Sequence, residues 1–330
     1  MAGCVGFGEL RPRGKGHEAT EGTVASSAQE LNAGADGKPG RDVAITCSDG
    51  YVLAARALTP AAAADNGATV VITTATGAKA SYYWRYADYL ASRGFRAVVA
   101  DYRGVGRSAP PGAAAGLRAM RMRWHEWGTL DTDAVIGWAE RDGPGRRIVA
   151  VGHSFGGLGV CLAPRATGVD RLLMVGAQHA HWRDYAVRDP RALLRWHVAM
   201  PAIAAAAGYL PGRRLGWLED IPRGVAFDWA RGRADFADTI GNGGRAVMDR
   251  MAALDFEVLA VAASDDPFAT PAATERLLDY LPGASVRRCE LVPAEFGVTE
   301  IGHLGVFHER FKDPLWERSA DWLLGRGLNR

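Results

Sequence analysis

The sequence predicts an α/β protein: a mostly parallel sheet that opens with an antiparallel hairpin, carries helices on both faces and is interrupted by a helical insertion. Three observations predict it. Short runs that are apolar at every position recur at Val70–Ile72, Ala97–Ala100, Ile148–Val151, Leu172–Val175 and Val258–Ala262. Strands apolar on both faces belong in a parallel sheet covered from each side. Helical periodicity fills the gaps between them, and repeated strand–helix units after a hairpin make an α/β sheet. Finally, residues 178–251 break the alternation and show no clear strand.

Taken in order, residues 1–40 are poor in large apolar side chains and lack the apolar core of a secretory signal, so they read as a disordered tail or a start assigned too early. In "DVAITCSDGYVLAARAL", Val43, Ile45 and Cys47 alternate, Ser48, Asp49 and Gly50 form a turn, and an apolar run follows, which is a hairpin. Tyr83, Tyr86, Ala87 and Leu90 share one helical face, as do Val135, Trp138 and Ala139. Thr270 is the expected N-cap of a later helix, with Pro271 at its first position and Leu277, Leu278 and Leu281 buried. The core is thus expected at 41–177 and 252–330, with 178–251 as a cap over the carboxyl ends of the strands. Trp182, Trp196, Trp217 and Trp229 give that cap a large apolar area, either for an organic substrate or for packing against the body.

Composition excludes several classes. The formal net charge is only +2 and no block of like charge occurs, so nothing points to nucleic acid. Cys4, Cys47, Cys161 and Cys289 are scattered without metal-ligand spacing, which reads as free thiols in a reducing compartment. The longest apolar stretch, "HVAMPAIAAAAGYL", is interrupted by Pro and too short for a bilayer span. A soluble, cytoplasmic protein acting on a small molecule is expected, and a homo-oligomer is left open.

The chemistry is concentrated in "IVAVGHSFGGLGV". Gly152, Ser154 and Gly156 have the spacing of a nucleophile elbow, a tight strand-to-helix turn that projects the serine hydroxyl. Such a serine needs a base, and the base needs a third group that holds its tautomer. After later strands come Asp265 and Asp266, followed by "PFATP", and then His303 in "EIGHLGVF". The carboxylates could equally cap the next helix, and one histidine alone is a weak signal. The order Ser, Asp, His at successive strand ends is much more specific. For the oxyanion, the amide of Phe155 is one candidate donor. The amide of Ala78 is the other, in a loop where Gly77 lets the backbone come close.

Together "ATG" after a strand, "ADYRGVGRS", "VGHSFGG", "ASDDPFATP" and "IGHLGVF" resemble the α/β-hydrolase superfamily, in its serine aminopeptidase and monoacylglycerol-lipase-like branch. The resemblance covers residues 41 to 326, and the insertion and the carboxyl-terminal "LWERSADWLL" are similar to a bacterial group known only as α/β hydrolases. It implies an α/β-hydrolase fold and a triad of Ser154, Asp266 and His303. It favours Asp266 over Asp265, because in relatives the acid stands four residues before the residue opening the next helix. It also implies a structural Asp101, and a His153 that packs and hydrogen-bonds rather than acting as a base. "TG" stands where many relatives have His-Gly, which weakens the case for Ala78. His179 and His181 lie two apart without a third ligand, so no metal is expected, nor any organic cofactor. The implied activity is hydrolysis of a carboxylic ester, thioester or amide through an acyl-enzyme, with Gly77, Trp182 and Trp196 against the substrate. An acyltransferase and a non-catalytic binding protein are the alternatives.

Overall fold

The computed structural model describes residues 40–112, 114–185 and 189–327. The expected tail therefore lies outside the described residues, except Gly40. Eight strands form one sheet: β1 (Arg41–Thr46), β2 (Val52–Leu58), β3 (Ala68–Thr73), β4 (Arg96–Ala100), β5 (Arg147–His153), β6 (Val169–Val175), β9 (Glu257–Ala263) and β10 (Ser285–Leu291). The two remaining strands, β7 (Tyr209–Leu210) and β8 (Ile221–Pro222), form a separate antiparallel pair. The order across the main sheet is β1-β2-β4-β3-β5-β6-β9-β10. β1 and β2 pair antiparallel, as the hairpin pattern predicts, and β2 also runs antiparallel to β4. Every other pairing in the sheet is parallel.

Side chains on successive residues of a strand point to opposite faces, so each central strand feeds two cores. Ile148 and Ala150 of β5 pack under helices Asp133–Asp142 and Phe155–Leu162. Val149 and Val151 pack on the other side, against helices Trp84–Ser92 and Glu317–Leu323. Helix Pro271–Leu278 begins as predicted, with Thr270 Oγ1 accepting from the Ala273 amide at 3.3 Å. The sequence pattern does not reveal β10. It is an edge strand in which only Cys289 and Leu291 are buried, while Arg287, Arg288 and Glu290 face outward. Such charges keep a sheet edge from pairing further, and they also erase the apolar run.

Between β6 and β9 the chain leaves the sheet. Helices Met200–Ala207, Arg223–Arg231, Phe236–Ile240 and Gly244–Ala252 dominate this segment, and β7 and β8 are the strands the pattern there does not show. Cross-links tie it to the body. Arg123 Nε lies 2.8 Å from Asp228 Oδ2, and the Glu219 amide donates to Gly77 O at 2.9 Å. Cys47 and Cys161 are buried free thiols, whereas Cys289 is disulfide-bonded, so the expectation of free thiols does not extend to it. Among the described residues, no helix is long and apolar enough to cross a membrane.

Candidate active site

β5 delivers Ser154 to the middle of the carboxyl edge of the sheet, at the entrance to helix Phe155–Leu162. Ser154 has φ 55° and ψ −124°, and it is the one non-glycine residue with positive φ among the described residues. A serine held there is strained, and the surroundings must over-determine the turn. They do so by close approach. A Cβ on Gly152 would sit 2.5 Å from the backbone of Gly157, and one on Gly156 would sit 2.4 Å from Thr73 O. The sequence spacing therefore has a steric cause on both sides of the serine.

The loops after β9 and β10 bring in the other two groups. His303 Nδ1–H donates to Asp266 Oδ2 at 2.7 Å, and both His303 and Ser154 line one cavity. Asp266 Oδ1 accepts from the amides of Phe268 and Ala269 at 2.8 and 3.0 Å. Burial works to raise the Asp266 carboxyl, but the hydrogen bond and charge of His303 and the two amides outweigh it and hold it below its ordinary value. Asp265 turns the other way: its oxygens accept from the amides of Ile301 and Gly302, on the loop that carries His303. The two adjacent carboxylates thus serve different partners. Gly176, after β6, lies beneath the pair, and a Cβ there would meet Asp266 Oδ2 at 3.1 Å and the His303 ring at 3.3 Å. Motif reading gave this glycine no place in the site.

His153 is fully buried, and burial lowers its pKa to about 3, so it is neutral. A carbonyl only accepts, so His153 Nε2–H donates to His303 O at 2.9 Å, and Nδ1 accepts from the Tyr83 hydroxyl at 2.7 Å. The Tyr83 oxygen in turn accepts from the Ala75 amide at 2.9 Å. One chain of bonds thereby joins the loop after β3, the serine turn and the His303 loop. Asp101 is structural in the same sense, accepting from the amides of Ala80 at 2.6 Å and Arg107 at 3.0 Å.

The cavity beside Ser154 has a volume of about 480 Å³. Of the residues expected against a substrate, Gly77 and Trp196 line it and Trp182 does not. Trp182 opens a short helix with its ring beside His181 and Arg183, while Tyr185 of that helix turns inward. Trp217 and Trp229 of the insertion do line the cavity, and so does Trp124, from outside it. Ala78 also lines it, but its amide donates back to Ala75 O at 3.1 Å and is not free for an oxyanion. This corrects the expectation for Ala78: the loop closes into a turn one residue earlier than the motif suggests. The amides of Thr76 and Gly77 donate to no described group. The Phe155 amide opens its helix, where an N–H has no intrahelical acceptor. His179 and His181 bond to the carbonyls of Arg233 and Gly232, and no metal-binding cluster occurs among the described residues.

Residues 69–195 match the sequence model of the family described as alpha/beta hydrolase fold. A soluble variant of monoglyceride lipase from Saccharomyces cerevisiae, in complex with a substrate analogue, is similar at 15% identity and a TM-score of 0.62, over 91% of this chain and 98% of that one. DcsB in complex with its substrate analogue is similar at 14% identity and TM-score 0.59, over 87% and 99%. An esterase from Pyrococcus furiosus is similar at 15% identity and TM-score 0.53, over 86% and 89%. The protein therefore has the α/β-hydrolase fold. An esterase and a monoglyceride lipase share that fold.

Proposed function

We propose that the protein is a serine hydrolase that cleaves a carboxylic ester through an acyl-enzyme, with Ser154, His303 and Asp266 as its triad. The observation that carries this reading is the convergence, on one aromatic cavity, of a strained serine and a half-buried histidine whose ring lies 2.7 Å from a buried aspartate. In the reaction, His303 takes the Ser154 proton as Oγ attacks the acyl carbon, and Asp266 stabilises the imidazolium. The oxyanion is held by the Phe155 amide and by the amide of Thr76 or Gly77. His303 then protonates the departing alcohol, and water activated by the same ring releases the acid. Residues 178–251 act as the cap, with Trp196, Trp217 and Trp229 against the substrate.

A fluorophosphonate probe tests this directly. The wild-type protein should label at Ser154, and Ser154→Ala should lose both the label and ester turnover, on the order of a millionfold. Equal labelling of the alanine variant would refute the assignment of the nucleophile.

A further inference from the structure

The cavity is walled by stacked rings, yet residues of its wall also carry buried polar atoms that the protein leaves without partners. Gln178, 8% exposed, stands just after β6, and its side-chain oxygen is buried with no hydrogen-bond partner. Two more residues of the same wall, Thr76 and Trp124, have a hydroxyl and an indole N–H in the same condition. Trp229 shows the contrast, because its indole N–H donates to the Tyr185 hydroxyl at 3.2 Å. A buried polar atom left unpaired destabilises the fold, and a leucine at 178 would avoid that cost. Buried groups of this kind in a binding cavity are matched by a ligand that completes them.

The walls restrict what that ligand is. Phe155, Trp124, Trp229 and Trp196 form a continuous stack, with successive ring centroids 4.7, 6.1 and 4.9 Å apart and planes within 26° of parallel. Such a wall favours a flat ring, offset-stacked or edge-on. The charged residues of the cavity, Lys79 and Glu219, pair with each other at 3.1 Å, so the polar substituent they leave room for is neutral. The side-chain amide of Gln178 can present its oxygen or its nitrogen, and a hydroxyl answers either, since it both donates and accepts.

We propose that the acyl group is an aromatic ring bearing a hydroxyl, and that Gln178 determines specificity by hydrogen-bonding that hydroxyl. This inference rests on the serine-hydrolase reading above. The test compares kcat/KM for ethyl benzoate with that for the three ring isomers of ethyl hydroxybenzoate. Wild type, Gln178→Leu and Gln178→Met are assayed alike, so electronic effects of the hydroxyl cancel between enzymes. The preference for the best hydroxylated isomer should fall at least about tenfold in both variants. Both variants should melt no lower than wild type, because an unpaired buried amide has been removed. A preference that changes by less than about threefold, or variants that fail to fold, would show that Gln178 is structural and overturn the inference. Wild-type protein that labels with fluorophosphonate but hydrolyses none of the four esters would overturn the substrate class and leave the hydrolase reading standing. Absence of labelling would remove the hydrolase reading itself.

Discussion

Replacing Asp266 by asparagine changes one atom and separates two roles that adjacent carboxylates could share. In the wild-type site Asp266 Oδ1 is fixed by the amides of Phe268 and Ala269, and Oδ2 receives the proton of His303 Nδ1. In Asp266→Asn those two amides demand an oxygen, so the side chain sets its carbonyl toward them and its NH2 toward His303. A donor facing Nδ1 stabilises the tautomer with the proton on Nε2, and that tautomer cannot take the serine proton. Loss of the correct tautomer costs about ten-thousandfold in kcat. In Asp265→Asn the remaining side-chain oxygen still accepts from the Ile301 or Gly302 amide, so the His303 loop stays in place. That variant should lose less than about tenfold. Single-turnover acylation by a p-nitrophenyl ester measures both at neutral pH, with melting temperatures as a control for folding. Equal losses, or the larger loss in Asp265→Asn, would refute the assignment of the acid.

Three further outcomes follow from the geometry. Trp196→Ala should change acyl-chain preference in an ester series, because Trp196 walls the cavity, whereas Trp182→Ala should change only the melting temperature; altered selectivity in the second variant alone would reverse the two roles. Gly176→Ala places a Cβ at φ +56° within 3.1 to 3.3 Å of Asp266 and His303, so it should cost about 1–2 kcal/mol and lower turnover about tenfold or more; stability and rate both equal to wild type would show that the pair does not need the space. His153 has a folded pKa near 3, below its unfolded value, so the unfolded chain takes up the proton first. Stability should therefore fall as pH drops from about 6.5 toward 3, by no more than about 5 kcal/mol from this group. Urea melts of His153→Gln should lack that part of the acid slope, and identical slopes would mean that His153 is protonated in the fold.

Much of the fold was legible because its causes are local. Runs apolar on both faces can satisfy themselves only inside a covered parallel sheet, and β3, β4, β5, β6 and β9 appear where those runs stand. The serine turn was legible for the same reason, since the small residues at 152 and 156 record close approaches that any neighbouring side chain would block. The edge strand β10 was hidden because one exposed face and a charged edge leave no apolar run to read.

The site's finer parts depend on contacts between residues far apart in the chain. Nothing local distinguishes Trp182 from Trp196; only the packing of the insertion decides which ring reaches the cavity and brings Trp124 to the same wall. The loop after β3 could have offered several amides, and its turn uses up that of Ala78 while leaving those of Thr76 and Gly77 open. The Tyr83–His153–His303 chain is made of bonds between residues 70 and 150 apart, and the space over Gly176 and the unpaired oxygen of Gln178 are likewise set by neighbours distant in the chain. By itself the sequence determined which backbone conformations and buried runs were available. Where a side chain points, and which polar atoms remain unpaired, was decided by tertiary packing, because those depend on neighbours that local spacing does not specify.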